Sequence, residues 1–155
     1  MRLTEVTDHA LRLLMYLGAC YGRMATIDEV ARQYGISRNH LAKVVNELAA
    51  DGVIMTVRGR SGGIWLAQDP REIRLGEVVR RTEPNFHMAQ CFAGEAAGCP
   101  FGAACRLRRS LLQATEAYLA ELNRLCLADL LSTDGSTAPD RHPSIPASCI
   151  KEFNS

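Results

Sequence analysis

Residues 26–50 read Thr26-Ile27-Asp28-Glu29-Val30-Ala31-Arg32-Gln33-Tyr34-Gly35-Ile36-Ser37-Arg38-Asn39-His40-Leu41-Ala42-Lys43-Val44-Val45-Asn46-Glu47-Leu48-Ala49-Ala50. Thr26 with Glu29 three residues on is a capping-box pattern, so a short helix starts here. Gly35 ends it as a left-handed C-cap would. Ser37 is a good N-cap for a second helix over 38–50, with Leu41, Val44, Val45 and Leu48 on its inward face. Helix, glycine turn, helix describes a helix-turn-helix, but also a plain helical hairpin. The next residues favour the former. Residues 53–57 (Val-Ile-Met-Thr-Val) are β-rich, 58–63 (Arg-Gly-Arg-Ser-Gly-Gly) form a turn with two arginines, and 64–67 (Ile-Trp-Leu-Ala) read as a second strand. A hairpin with a basic tip after a helix-turn-helix is a wing. The expected fold is mainly α, a winged helix-turn-helix.

Upstream, Val6, Ala10, Leu13, Leu14 and Leu17 make one apolar face of a helix over 4–20, with Asp8 and Arg12 off that face. Downstream, Leu75, Val78 and Val79 mark a helix over 74–82, which Glu83-Pro84 ends. The expected organisation is a DNA-binding domain over 1–84, a cysteine-bearing loop over 85–102, one long helix over 103–131 and a disordered tail over 132–155. In the long helix Leu107, Leu111, Ala114, Tyr118, Leu122 and Leu125 step by three and four. At about 1.5 Å per residue that stripe exceeds what a small domain needs for its own core, so it reads as a dimerisation helix. Folding back on the same chain is the alternative.

The 155 residues are 47% hydrophobic, enough for a core. No apolar run approaches a membrane span, and Met1-Arg2-Leu3-Thr4-Glu5 lacks the layout of a signal peptide, so a cytoplasmic protein with no membrane partner is expected. Disulfides are disfavoured in that compartment, which directs the cysteines toward metal or redox roles. Net charge is +1, so nucleic-acid binding must be argued from local placement. No Cys-x-x-Cys, phosphate loop or nucleophile elbow occurs, and no enzymatic activity is expected.

The N-terminal part of a recognition helix faces base edges in the major groove. Here that part offers Ser37, Arg38, Asn39, His40 and Lys43. Arg can pair with guanine and Asn with adenine through two hydrogen bonds each, and Lys43 suits phosphate. Arg58, Gly59 and Arg60 form the wing tip, where arginine reaches phosphate or a narrow minor groove. Singly these are ordinary solvated charges; jointly, at two tips, they point to double-stranded DNA.

Cys91, Cys99 and Cys105 follow in a Cys-x7-Cys-x5-Cys stretch. Cys105 is expected in the first turn of the long helix, where the dipole stabilises a thiolate, with Arg106, Arg108 and Arg109 close in sequence. Zinc in a structural site takes four ligands; no fourth Cys lies in the loop, and His87, four residues before Cys91, can serve. An iron–sulfur cluster tolerates one non-cysteine ligand, and a thiol switch needs only two cysteines. The order of preference is iron–sulfur cluster, metal-free thiol switch, zinc. Cys20 and Cys126 sit at apolar helical positions as small hydrophobes, and Cys149 reads as an incidental thiol.

Several pieces now on the page go together: Met1-Arg2-Leu3-Thr4 with Thr7-Asp8, the run from Ser37 to Asn46, and Thr56-Val57-Arg58-Gly59-Arg60-Ser61-Gly62-Gly63. To these belong Glu83-Pro84-Asn85-Phe86, the three cysteines with Ala104-Cys105-Arg106-Leu107, and Leu127-Ala128-Asp129-Leu130. Over residues 1–131 the chain resembles the Rrf2 family of bacterial transcription regulators, and within it the nitric-oxide-responsive repressors. That resemblance implies a homodimer with crossed long helices that binds a palindromic operator. It implies a cluster held by Cys91, Cys99 and Cys105, of [4Fe-4S] type, with an oxygen ligand from an Asp near the start of the partner subunit's first helix. Asp8 occupies the matching place; helix-dipole stabilisation is its other reading. Family members with a [2Fe-2S] site carry His three residues after the last Cys, where this chain has Arg108. Iron-status regulators of the family share the three cysteines but tend to lack the Asp.

Overall fold

Thr4 opens the first helix, α1 (Glu5–Ala19), by accepting a hydrogen bond from the Thr7 N–H. The computed structural model describes residues 2–60, 62–89, 92 and 105–131. Ala10, Leu13, Leu14 and Leu17 recur at helical spacing and are all buried. At the start of α2 (Ile27–Tyr34) the capping box is complete. The Glu29 N–H donates to Thr26 Oγ1 (3.1 Å) and the Thr26 N–H to Glu29 Oε2 (3.4 Å). Gly35, at φ 64°, ends α2. In α3 (Arg38–Ala50) the expected quartet Leu41, Val44, Val45 and Leu48 is buried, although the Ser37 side chain makes no capping bond.

The wing is an antiparallel pair, β1 (Ile54–Val57) and β2 (Gly63–Leu66), with Ile54 opposite Leu66 and Thr56 opposite Ile64. Ala25 and Ile64 exchange two backbone hydrogen bonds (2.9 and 2.7 Å), which pin the wing to the α1–α2 connection. The chain continues through α4 (Leu75–Thr82), α5 (Arg106–Asn123) and α6 (Leu127–Leu131). Leu75, Val78 and Val79 of α4 are buried as expected.

The single helix expected up to residue 131 is instead broken after Asn123. Residues 125–127 leave the helical path to pair with 73–75: the Leu75 N–H donates to the Leu125 carbonyl (3.1 Å) and the Leu127 N–H to that of Ile73 (2.9 Å). Asp129 then caps α6 by accepting from the Cys126 N–H (2.7 Å). The short α6 packs on α1. A Cβ at Gly18 would lie 2.7 Å from Leu131 Cδ1, so the missing side chain sets how closely the two helices approach. Thr115 and Leu119 are the buried residues of α5, whereas Leu107 (65% exposed) and Leu125 (41%) face outward.

One polar node crosses the apolar interior. The fully buried Tyr16 donates to Glu29 Oε1 (2.5 Å), and Arg23 pairs with the same oxygen. Burial, then the bond to the Glu29 carboxylate, pushes the Tyr16 hydroxyl up to about 12. Burial pulls Glu29 upward, but the bonds from Arg23, Tyr16 and Thr26 outweigh it and hold the carboxyl below its ordinary range. Tyr16→Phe should therefore cost about 1–2 kcal/mol, since a hydrogen bond to a charged group is lost while the carboxylate keeps other donors. The urea midpoint at unchanged m value measures this. The stability linked to Glu29 is complete above the unfolded carboxyl pKa of about 4.3 and fades as pH falls through the lower folded value. Glu29→Gln should remove that portion of the acid sensitivity, read as a shallower fall of the urea midpoint below that pH.

Candidate nucleic-acid interface and metal centre

Burial of the Leu41–Leu48 face turns the other side of α3 to solvent. Ser37, Arg38, Asn39, His40 and Lys43 are all exposed there. Arg38 Nε pairs with Asp28 Oδ1 of α2 at 2.9 Å. The His40 ring stacks with His9 of α1, centroids 6.4 Å apart and planes 24° apart. The wing tip carries exposed Arg58, Gly59 and Arg60, and Gly59 adopts φ 116°, a conformation L side chains avoid. Among the described residues Lys43, Arg58 and Arg60 form no ion pair, so their charge is free to meet phosphate. The structure thus presents all eight expected residues on exposed segments, five at the start of α3 and three at the wing tip.

Of the three clustered cysteines, Cys105 falls within the described residues, and Cys91 and Cys99 lie outside them. Cys105 is the N-cap of α5, one position ahead of the expected first turn. It is half-buried and free, and its side chain makes no capping bond. The segment leading to Cys91 lies along α5. Thr115 Oγ1 donates to Met88 Sδ (3.2 Å), and the Arg108 guanidinium covers the Phe92 ring at 5.4 Å. His87, the possible zinc ligand, is exposed and its ring lies 6.4 Å from that of Phe92. Among the described residues no three His, Cys, Asp or Glu side chains gather as a metal site. Cys126 is a buried free thiol, as expected of a small hydrophobe; Cys20 is buried too but is not a free thiol.

Asp8 sits in the first turn of α1 and pairs with Arg12 at 2.9 Å, both side chains nearly half exposed. An exposed i,i+4 pair is worth only ~0.3–0.5 kcal/mol, so the carboxylate is held weakly.

The sequence reading missed what joins these two regions. Glu83, the C-cap of α4, accepts from the Thr4 N–H (2.7 Å) and from the Thr4 hydroxyl (3.2 Å). The N-cap of α1 is thereby tied to the entrance of the cysteine segment. The two residues are 79 apart, and the one local hint was a carboxylate placed directly before Pro84.

The Rrf2 family, described as iron-dependent transcriptional regulators, matches residues 3–133. The chain is 46% identical over 137 residues to the HTH-type transcriptional regulator NsrR of Geobacillus kaustophilus, covering 88% of this chain and 93% of that protein. It is 43% identical over 132 residues to the NsrR regulator of Bacillus subtilis, covering 84% and 90%. In fold it is similar to CymR, the global cysteine regulator of B. subtilis, with a TM-score of 0.66 at 20% identity over 84% of this chain and 95% of that one. It is similar also to IscR of T. potens, with a TM-score of 0.65 at 19% identity over 90% and 93%. Among the described residues no helix is long and apolar enough to cross a membrane.

Glu83→Ala should loosen the N-terminus of α1 without unfolding the domain. Loss of a bonded carboxylate worth ~1.4 kcal/mol corresponds to about tenfold faster amide exchange. Hydrogen exchange at Thr4, compared with the core of α3, measures it.

Proposed function

The chain belongs to the Rrf2 family of transcription regulators, and on that premise we propose a homodimeric repressor whose hold on a palindromic operator is controlled by nitric oxide through an iron–sulfur cluster. The observation that carries this reading is the position of α1. Its N-cap is tied to Glu83 at the entrance of the cysteine segment, and its His9 stacks on His40 of the proposed recognition helix. Movement of α1 therefore reaches the surface offered to DNA. Likeness to the NsrR regulators supports the signal.

The group proposed for Cys91, Cys99 and Cys105 is a [4Fe-4S] cluster rather than a [2Fe-2S] one, with Asp8 of the partner subunit as fourth ligand. Cys105 suits that role, being a free, half-buried thiol at the positive end of an 18-residue helix. Asp8 suits it because its present ion pair is weak. A cluster bound there would supply iron that reacts with nitric oxide. The chain's own residues do the rest. The thiolates would fix the segment to α5, and Asp8 would tie α1 to the other subunit. Without that tie Asp8 would keep Arg12, and α1 would be held only by its own chain, through Glu83 and the stack on His40. The coupling is the difference in DNA affinity between the two states, and about 1.4 kcal/mol already gives a tenfold change.

Dimerisation is assigned to α5, whose Leu107 and Leu112 are exposed. In this proposal Arg38 and Asn39 read bases, Ser37 and His40 line the groove, and Lys43, Arg58 and Arg60 hold phosphate while Gly59 lets the wing backbone approach. Removing any one of the three phosphate contacts should lower the salt slope of binding by ~0.9.

The family's description as iron-dependent also favours a second reading, an iron-status regulator with the same three cysteines. Anaerobic reconstitution followed by spectroscopy and operator binding separates the readings. A brown protein that releases DNA on nitric oxide titration supports the proposal. Release only on iron chelation supports the iron-status reading, and a colourless protein that responds to thiol oxidants supports a metal-free switch. Asp8→Ala should keep the fold while weakening the nitric oxide response; a wild-type cluster spectrum and response in that variant would refute the role given to Asp8.

A further inference from the structure

Arg38 is the first residue of α3, and Asp28 lies in the first turn of α2. Asp28 Oδ1 meets Arg38 through Nε, at 2.9 Å, with the two side chains 61% and 70% exposed. Arg32 bonds the backbone carbonyl of Asp28 (3.2 Å), so it leaves the carboxylate to Arg38. Guanidinium carries five N–H donors in a planar fork. With Nε engaged, the two terminal nitrogens make no hydrogen bond to any other described residue. Those two nitrogens match guanine O6 and N7. Asp28 thus grips Arg38 by the edge that does not read.

As a stability element such an exposed pair is worth little. On a surface that meets DNA, a carboxylate also repels phosphate and weakens sequence-independent binding. Resting on the reading of α3 as a recognition helix, we infer that Asp28 is a specificity-determining positioning residue, which fixes Arg38 through Nε and leaves its terminal nitrogens to read a guanine. A freely rotating Arg38 would bind any nearby phosphate; the held one surrenders that contact and presents a fixed donor pair to the groove. Asp28 acts through Arg38 and touches no base itself.

The test uses the full-length protein. A duplex is first selected by the wild type from a random pool, and each guanine in it is then replaced in turn by 7-deazaguanine, which lacks the N7 acceptor. Affinities for these duplexes and for sheared calf-thymus DNA are measured by anisotropy at several salt concentrations. Arg38→Ala identifies the guanine concerned, as the one whose replacement no longer matters. In Asp28→Ala, discrimination at that guanine should fall by about five- to tenfold, part of what a bidentate contact provides, while calf-thymus DNA binds as well or better. Asp28→Glu should restore much of the discrimination. Full discrimination in Asp28→Ala, or equal losses on selected and calf-thymus DNA, would overturn the inference. If Arg38→Ala leaves every guanine sensitivity intact, base reading by Arg38 is itself wrong and the inference falls with it.

Discussion

Glu29 decides how the first two helices meet, and most of the molecule is arranged around that meeting. One carboxylate takes the Tyr16 hydroxyl from α1, the Arg23 guanidinium from the connection and the Thr26 N–H that opens α2. A buried hydroxyl without a partner would cost more than the bond itself contributes, so the arrangement is strongly preferred over its neighbours. With α2 set against α1, Gly35 turns the chain into α3 and the direction of the recognition helix follows. Asp28, one residue before, engages Arg38 in the opposite direction, toward solvent. Two adjacent acidic residues thus hold the interior and the exposed start of α3 in one frame.

Much of this was legible in the sequence because its signals are local. A hydroxyl three residues before a Glu, a glycine after an apolar period and a glycine-rich basic turn between β-rich runs each specify geometry within a few residues. The helices of the DNA-binding half and the wing came out within about a residue of expectation for that reason. The C-terminal half failed where distance in sequence entered. Nothing near residues 125–127 announces that their backbone will pair with residues 73–75 rather than continue a helix. Which face of α5 is covered within the chain is chosen by its packing on α4, and periodicity alone cannot name that partner. Asp28–Arg38, His9–His40 and Thr4–Glu83 are invisible to pattern reading for the same reason.

In the proposed site, the same division applies to chemistry. Three soft sulfur ligands from one short stretch are a local pattern, and their meaning could be weighed at once. The hard oxygen ligand proposed to complete them comes from another part of the chain and, by resemblance, from another subunit. Within the chain, α1 is the element that touches both the entrance of the cysteine segment, through Thr4 and Glu83, and α3, through His9 and His40.

The packing of α6 on α1 has a further consequence, in the order of synthesis. Leu127 is completely buried within the same core as Leu13, Leu17 and Leu48, and Leu131 lies over Gly18. A nascent chain that has emerged only as far as α4 therefore carries α3 and a wing whose supporting helix α1 is still uncovered on one side. The core is complete only once the residues after the cysteine segment have left the ribosome. The cysteine segment is thus already outside before the core beneath α3 and the wing is fully covered.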